Sequence, residues 1–170
     1  MSGYEILISL ECETELWRIL KIPRDINFLQ LHKLIQKLFN FDDYHSWDFK
    51  IPEDTNLKII TLDDAEDIKI SEAFDNYDIV KYTYDYGDDW KFEIKKLDEI
   101  DYTKKTALLI DYKCKYGPLE DMGGKIVFDQ IMRNIDFAED VLEAYGLSRR
   151  SLSKMDIEKK FRKGSRMIIP

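Results

Sequence analysis

Residues 79–97 read IVKYTYDYGDDWKFEIKKL, and this stretch decides the fold. Large apolar and aromatic side chains alternate with polar ones on both sides of a central Gly-Asp-Asp, a pattern typical of two half-buried β-strands joined by a turn. The pattern predicts a loop with an odd number of residues, because only an odd loop puts every large side chain on one face of the hairpin. With Gly87–Asp89 as that loop, the predicted cross-strand partners are Tyr86 with Trp90, Tyr84 with Phe92, and Tyr82 with Ile94, and on the other face Asp85 with Lys91 and Thr83 with Glu93.

Further strands are predicted on both sides of this hairpin. After Pro23 the apolar spacing changes to that of an amphipathic helix, which ends near Asn40 and for which Asp25 or Asn27 is the expected cap. The two segments before that helix form an N-terminal hairpin. Strands are expected at residues 4–10, 16–22, 44–51, 57–62 and 106–112.

Helical spacing returns in the C-terminal third of the chain. Residues 128–135 predict one helix, and residues 136–146 predict a second one that begins at the capping residue Asp136 and stops at Gly146. A last short helix is predicted within Ser153–Gly164, again with a capping signal at its start and a glycine at its end.

Together these elements predict a single α+β domain over residues 1–148. Its sheet is largely antiparallel, begins with the N-terminal hairpin, carries one helix after the second strand and is followed by a C-terminal helical segment. Residues 149–170 form a basic C-terminal helical tail in this prediction. A chain of 170 residues suits one domain of this kind, since folding at that length buries roughly two-thirds of the unfolded surface.

Composition excludes several classes of protein. Hydrophobic residues make up 44% and aromatic residues 13% of the chain, which excludes intrinsic disorder. No apolar run approaches the ~20 residues of a membrane-spanning helix, and the first ten residues lack the features of a signal peptide. Cys12 and Cys114 lie far apart and match no metal-ligand spacing, so we predict two structural free thiols in a cytoplasmic protein without a membrane partner.

Charge is unevenly distributed along the chain. The formal net charge is -8, and residues 41–102 carry nineteen acidic against seven basic residues. The segment Arg149–Arg166 carries eight basic and two acidic residues. An acidic body repels nucleic acid, so we expect nucleic acid to bind only through this basic tail, if at all. Alternatively, the tail is a solvated helix face that docks on the acidic body.

Five motifs occur in the order of a known family: WRILKIP at residues 17–23, LQLHKLIQ at 29–36, HSWDF at 45–49, YTYDYGDDW at 82–90 and PLEDMGG at 118–124. The sequence resembles the plasmid pRiA4b ORF-3-like family from Tyr4 to Tyr145. Members of this family are also labelled passenger proteins of insertion elements. The resemblance implies an α+β domain associated with plasmids and mobile elements, and it implies no established activity.

The chain departs from that family at two motifs. The family tends to have a second histidine where Trp47 stands, and two prolines where this chain has Pro118 and Leu119. The resemblance therefore does not imply a metal site made of two histidines or of cysteine and histidine.

No phosphate-binding loop, nucleophile elbow or zinc-protease motif is present, so the candidate chemistry rests on carboxylates. Asp85, Asp88 and Asp89 lie in one predicted loop, and Glu120 and Asp121 lie in another. If the loops converge, these five carboxylates are predicted to bind Mg²⁺ or another divalent cation, which would activate water for phosphoester hydrolysis. Alternatively, they are ordinary turn and helix-capping residues.

His32 lies beside the apolar stripe of the first helix and has two interpretations. It is either a general base that assists the carboxylates or a partly buried side chain bonded to a neighbour. His45 begins a predicted strand, from which it could pair with His32 across the sheet. The aromatic side chains of residues 82–92 form either a stacking platform for bases or peptides, or a buried sheet face.

Two functions from different classes follow from these residues. The first hypothesis is a non-catalytic accessory protein that binds a protein partner through its acidic face, because a concentrated negative field attracts basic partners. The second is a divalent-metal-dependent hydrolase, either a nuclease or a phosphodiesterase, that uses the two carboxylate loops. The sequence alone does not decide whether the protein is an enzyme.

Overall fold

The computed structural model describes residues 2–53, 56–135 and 142–169 and is built around one eight-stranded sheet. The strands are β1 (Ser2–Leu10), β2 (Trp17–Pro23), β3 (Trp47–Pro52), β4 (Leu57–Ile60), β5 (Ile79–Tyr84), β6 (Trp90–Asp101), β7 (Thr106–Lys113) and β8 (Arg166–Ile168). They lie in the order β4-β3-β5-β6-β1-β2-β7-β8, and each neighbouring pair is antiparallel. The helices are α1 (Phe28–Phe39), α2 (Ser71–Phe74), α3 (Gly124–Arg133) and α4 (Arg149–Met155). The predicted α+β class, the N-terminal hairpin and the helix after the second strand are confirmed.

One face of the sheet carries the core. Alternate side chains of β1 are fully buried, and these are Tyr4, Ile6 and Ile8. Helix α1 packs on the same face, where the rings of Phe39 and Phe92 lie 4.7 Å apart. The strand period of two and the helix period of 3.6 thus bury their apolar residues in one shared layer.

Helix α1 starts and stops at asparagines. The side chain of Asn27 accepts a hydrogen bond from the Gln30 N–H at 2.8 Å, and the Gln30 side chain accepts one from the Asn27 N–H at 3.1 Å. Of the two predicted caps, Asn27 is therefore the one that caps the helix. Asn40 ends it with a left-handed backbone at φ 61°.

The predicted hairpin has the correct faces but the wrong register. Tyr82 pairs with Phe92 and Tyr84 with Trp90, so the loop between β5 and β6 contains five residues, Asp85–Asp89, rather than three. The parity is unchanged, which is why the large side chains still share one face. Tyr86 leaves the sheet and is 56% exposed. The partners on the opposite face shift as well, and Thr83 pairs with Lys91 and Lys81 with Glu93.

The reason for the register error lies in Asp85. Its backbone is left-handed at φ 54°, and its Oδ1 accepts hydrogen bonds from the N–H groups of Gly87 and Asp88 at 2.9 and 3.3 Å. The N–H of Asp89 closes the loop on the Asp85 carbonyl oxygen at 2.6 Å. An aspartate that bonds its own loop in this way starts the turn two residues earlier than the alternation indicates.

The C-terminal segment contains less helix than predicted. Helix α4 is capped by Ser148, whose hydroxyl accepts a hydrogen bond from the Ser151 N–H, so Ser153 lies inside the helix instead of capping one. Asp156 caps only a short 3₁₀ turn at Ile157–Lys159. The chain then adds β8 to the edge of the sheet beside β7, and Lys163 forms an ion pair with Asp111 at 2.5 Å.

The predicted helix over residues 136–146 lies mostly outside the described residues. The predicted end at Gly146 lies within the described residues. Gly146 has φ 69°, and the N–H of Leu147 donates a hydrogen bond to the Leu142 carbonyl oxygen at 2.7 Å, as at the end of a helix. Among the described residues, no helix is both long enough and apolar enough to span a membrane.

Candidate metal centre

Two loops meet at one end of the sheet. The loop Asp85–Asp89 joins β5 to β6, and a second loop, residues 114–123, leads from the end of β7 into α3. The N–H of Gly123 donates to Asp88 Oδ2 at 3.1 Å. A Cβ atom on Gly124 would lie only 2.7 Å from the Asp88 carbonyl oxygen, and the backbone of Gly124 has φ 75°. The two loops can approach this closely because Gly124 has no side chain.

A third loop brings a histidine to the same place. His45 lies between α1 and β3, and the Asp85 N–H fixes this loop by donating to the Ser46 carbonyl oxygen at 2.9 Å. His45 Nε2 lies 3.1 Å from Asp121 Oδ1 and 3.6 Å from Asp85 Oδ2. Donor atoms of these three residues all lie within 4.8 Å of one another.

The two distances from His45 Nε2, 3.1 and 3.6 Å, suit ligands of a single metal ion. Two ligand atoms that each lie about 2.1 Å from one ion are separated by roughly 3 Å when adjacent and about 4.2 Å when opposite. The side chain of Asp85 is 9% exposed, that of His45 32% and that of Asp121 76%. The cluster therefore has a buried side formed by Asp85 and an open side at Asp121. We refer to His45, Asp85 and Asp121 as the metal cluster.

The local structure leaves one carboxylate oxygen of Asp85 available to an ion. Its Oδ1 is occupied by the N–H groups of Gly87 and Asp88, whereas its Oδ2 faces His45. Asp121 has a left-handed backbone at φ 53°, a conformation that aspartate tolerates better than most residues. Both carboxylates are thus presented by tight turns.

Tyr84 and Glu120 fix the loop that carries His45 through hydrogen bonds to its backbone. The Tyr84 hydroxyl accepts hydrogen bonds from the N–H groups of Tyr44 and His45 at 3.1 and 3.4 Å and donates to the Glu120 carboxylate. Glu120 Oε1 also accepts from the Asp42 N–H at 3.1 Å. Burial, followed by the bond to Glu120, raises the pKa of Tyr84 above its ordinary value, so the hydroxyl keeps its proton. These two residues tie together the loops that carry His45 and Asp121.

The other predicted carboxylates have different contacts. Asp88 joins the two loops through Gly123, and Asp89 forms an ion pair with Lys91 at 2.6 Å. Glu120 faces Tyr84, and its Oε2 is buried without a hydrogen-bond partner among the described residues. Of the five predicted metal ligands, Asp85 and Asp121 lie in the metal cluster, and the other three surround or support it.

His32 is buried in the core, away from solvent. Its Nδ1 lies 2.7 Å from the Tyr82 hydroxyl, its Nε2 lies 2.7 Å from Asp43 Oδ1, and its ring stacks on Trp47 at 4.0 Å between centroids. Burial lowers the pKa of His32 below its ordinary value, although Asp43 acts in the opposite direction. The contacts of His32 are typical of a structural histidine, and those of His45 are typical of a ligand.

The sequence did not single out His45 as a partner of the carboxylates. To find His45 from the sequence, one would have to know that β3 pairs with β5. This pairing sets Trp47 opposite Tyr84 and so places His45 beside the start of the Asp85–Asp89 loop. Residues 45 and 85 are far apart in the chain, and the alternation pattern does not specify which strands become neighbours.

The aromatic residues of the central hairpin form a buried face. Tyr82, Tyr84, Trp90 and Phe92 are each at most 1% exposed, which excludes them as an open stacking platform. Tyr86 is the exception, and its exposed ring reaches Asp48 Oδ2 through a hydrogen bond of 2.8 Å.

The two cysteines are free and half-buried. Burial raises the pKa of Cys12 to about 12 and also raises the pKa of Cys114. Neither residue is therefore an activated thiolate, as the sequence predicted.

Comparisons with known proteins agree with the fold and leave the activity open. The plasmid pRiA4b ORF-3-like protein family matches residues 2–152. The crystal structure of a protein of unknown function from Methanosarcina mazei Go1 is similar, with a TM-score of 0.70 and 22% identity over 84% of this chain and 88% of that one. That likeness concerns the fold alone. No functionally curated protein matches the chain.

Proposed function

This chain belongs to the plasmid pRiA4b ORF-3-like family, and we propose that it is a divalent-metal-dependent phosphodiester hydrolase with His45, Asp85 and Asp121 as its metal ligands. The main support is the convergence of three separate loops, which brings one imidazole and two carboxylates within 4.8 Å of one another. Imidazole favours Zn²⁺ and related transition metals, and carboxylates favour Mn²⁺ and Mg²⁺. A mixed set of this kind therefore suits Mn²⁺ or Zn²⁺ better than Ca²⁺.

The open side of the metal cluster supports a catalytic role over a structural one. Structural metal sites are usually closed by four protein ligands, whereas catalytic sites keep a position for water or substrate. This cluster supplies three protein ligands, and Asp121 is 76% exposed. A divalent ion held by His45, Asp85 and Asp121 would supply a nucleophilic hydroxide near neutral pH and would polarise a phosphoryl oxygen.

Tyr84 and Glu120 serve as positioning residues in this proposal. They fix the backbone at His45 and the loop of Asp121 through hydrogen bonds. Outer groups of this kind orient the ligands of metal sites, and their loss typically weakens metal affinity by about 10- to 100-fold.

The experiment measures hydrolysis of bis(p-nitrophenyl) phosphate by metal-stripped protein after addition of Mn²⁺, Zn²⁺, Mg²⁺ or no metal. We expect activity with Mn²⁺ or Zn²⁺ and a loss of at least about a hundredfold in His45→Ala and Asp121→Asn, since each removes a ligand of the activating ion. Asp89→Asn is the matched control, because it removes the same charge near the site from a residue that pairs with Lys91. Metal-independent turnover, or equal losses in Asp121→Asn and Asp89→Asn, would contradict the proposal. Metal binding without turnover of any phosphoester would leave a metal site and exclude the hydrolase.

One surface favours the second candidate, a non-catalytic module that binds a basic protein partner. Asp63, Asp64, Glu66 and Asp67 are all exposed, and no ion pair involves them within the described residues. Leu57, Ile59 and Leu62, on and beside the edge strand β4, are 52%, 52% and 61% exposed. An acidic loop next to exposed apolar side chains suits a partner that is basic and amphipathic.

This candidate is tested by the fluorescence anisotropy of a labelled basic amphipathic peptide at several salt concentrations. Neutralising the four acids of residues 63–67 should abolish binding, while a control that neutralises four exposed acids elsewhere should retain it. Binding that is equal in both variants would exclude this surface. The control substitutions are Asp25→Asn, Glu53→Gln, Asp98→Asn and Glu143→Gln.

A further inference from the structure

A cavity lies at the opposite end of the sheet from the metal cluster. It has a volume of about 420 Å³ and opens where β1 begins, β2 ends and the hairpin between β6 and β7 turns. The metal cluster lies where β5 ends and β6 begins, whereas the cavity lies where β6 ends. The two sites therefore share no residue and can be tested separately.

The cavity is positively charged, although the chain has a net charge of -8. Lys69, Lys104 and Lys105 line it, and no ion pair involves these lysines in the part of the chain that the structure describes. Asp25 is the acidic residue of the lining. The fourth cation of the lining, Arg24, forms ion pairs with Asp75 and Glu99, so its charge is already compensated.

The remaining lining combines hydroxyl groups with a rigid floor. Ser2, Ser71 and Thr103 line the cavity, and their hydroxyls form no side-chain hydrogen bond in the described part of the structure. Tyr102 forms part of the floor and is fixed by its hydroxyl, which donates to the Thr106 carbonyl oxygen at 2.9 Å. Gly3 lets this ring pack closely, because a Cβ atom there would lie 2.7 Å from the Tyr102 Cβ.

We propose that this cavity binds a small polar molecule that carries a phosphate monoester. Among the described lining residues, three unpaired ammonium groups outnumber the one carboxylate, that of Asp25, and this excess of positive charge favours an anionic monoester over a neutral ligand. A cavity of 420 Å³ lies within the range that holds whole small ligands, so it is larger than a phosphate group requires. The three hydroxyls supply hydrogen bonds to the polar remainder of the molecule.

The test is isothermal titration calorimetry with ribose 5-phosphate, adenosine 5′-monophosphate, inorganic phosphate and unphosphorylated ribose. EDTA is present throughout, so that a metal ion at His45 cannot contribute a phosphate site. We expect both monoesters to bind, inorganic phosphate to bind more weakly and ribose not to bind. The variant His45→Ala should bind the monoesters as the unmodified protein does, which separates this site from the proposed hydrolase.

Two double variants locate the site. Lys104→Gln with Lys105→Gln should weaken monoester binding by at least about tenfold, since hydrogen bonds to charged groups contribute strongly to affinity. Lys58→Gln with Lys95→Gln removes the same charge outside the cavity and should retain binding within about twofold by the same reasoning. Neither pair of lysines belongs to the core, so both variants are expected to fold.

Three outcomes would overturn the proposal. The first is no binding of either monoester by the unmodified protein. The second is equal weakening in the two double variants, which would indicate a general charge effect. The third is tighter binding of a single-stranded oligonucleotide than of either monoester, regardless of a 5′-phosphate, which would assign this surface to nucleic acid instead.

Discussion

Replacing Gly124 by alanine should open the metal cluster without touching a ligand. Gly124 has φ 75°, and its absent Cβ would lie 2.7 Å from the Asp88 carbonyl oxygen. Gly164 provides a matched control, because it has φ 85° and a Cβ there would have no atom within 4 Å. Both substitutions force alanine into a left-handed conformation, which costs about 1–2 kcal/mol, and only Gly124→Ala adds a clash.

The size of the clash sets the expected effect. Ordinary contact begins at 3.4 Å, so the Asp88 backbone has to move by about 0.7 Å, the difference between 3.4 and 2.7 Å. Asp88 belongs to the same five-residue loop as Asp85, and the movement separates Asp85 from Asp121. Metal–ligand distances tolerate deviations of only about 0.2 Å. We therefore expect Mn²⁺ affinity to fall by roughly 10- to 100-fold in Gly124→Ala, the loss typical when the support of a metal ligand is removed.

The assay is a calorimetric titration of metal-stripped protein with Mn²⁺, accompanied by urea unfolding of each variant. Gly164→Ala should lose stability and keep its Mn²⁺ affinity, whereas Gly124→Ala should lose both. If Gly124→Ala binds Mn²⁺ as tightly as Gly164→Ala does, then close contact between the two loops is not what builds the site, and the reasoning fails.

Three further predictions concern the support of the site and of the fold. Tyr84→Phe should lower Mn²⁺ affinity by about tenfold or more, because it removes the hydrogen bonds that fix the His45 loop. The control Tyr86→Phe loses a hydrogen bond to Asp48, outside the metal cluster, and should keep its Mn²⁺ affinity. Equal Mn²⁺ titration curves for the two variants would contradict a positioning role for Tyr84. Burial lowers the pKa of His32 below 6.5, so the unfolded chain binds the proton more readily than the folded chain does. The free energy of unfolding should therefore be highest above about pH 6.5 and fall below it, with a slope of up to about 1.4 kcal/mol per pH unit. In urea unfolding, His32→Gln should show a smaller slope between pH 5 and 6.5, and an unchanged slope would assign the effect to other groups. Asp129→Ala should destabilise the protein by about 2–4 kcal/mol in urea unfolding, because it leaves the N–H groups of Glu13 and Thr14 without their carboxylate partner. The same variant should keep its Mn²⁺ affinity. A fall in Mn²⁺ affinity would show that this contact also supports the metal cluster.

Local patterns in the sequence were sufficient for the strands β1 to β7, for α1 and for the buried face of the sheet. The alternation around Tyr82 and Trp90 predicted two strands with one buried face, and the spacing after Pro23 predicted α1 with an end near Asn40 and with Asp25 or Asn27 as its N-terminal cap. These features depend on neighbours within a few residues, which is the range over which strand and helix periods act.

Side-chain contacts within a turn and contacts between distant residues were not predictable from those patterns. The register of the central hairpin changed because the Asp85 side chain bonds its own loop, and the edge strand β8 is only three residues long. His45 joins the carboxylates only because β3 lies beside β5 in the sheet. The convergence of the two acidic loops depends on a close approach at Gly124, which the glycine itself did not reveal.

The most direct test of the metal cluster is anomalous X-ray diffraction from crystals of the full chain grown with Mn²⁺. We predict one anomalous peak about 2.0–2.4 Å from His45 Nε2, Asp85 Oδ2 and Asp121 Oδ1, the range of ordinary ligand distances. An anomalous map without a peak among these three atoms, at Mn²⁺ concentrations that populate other sites on the protein, would contradict the central claim.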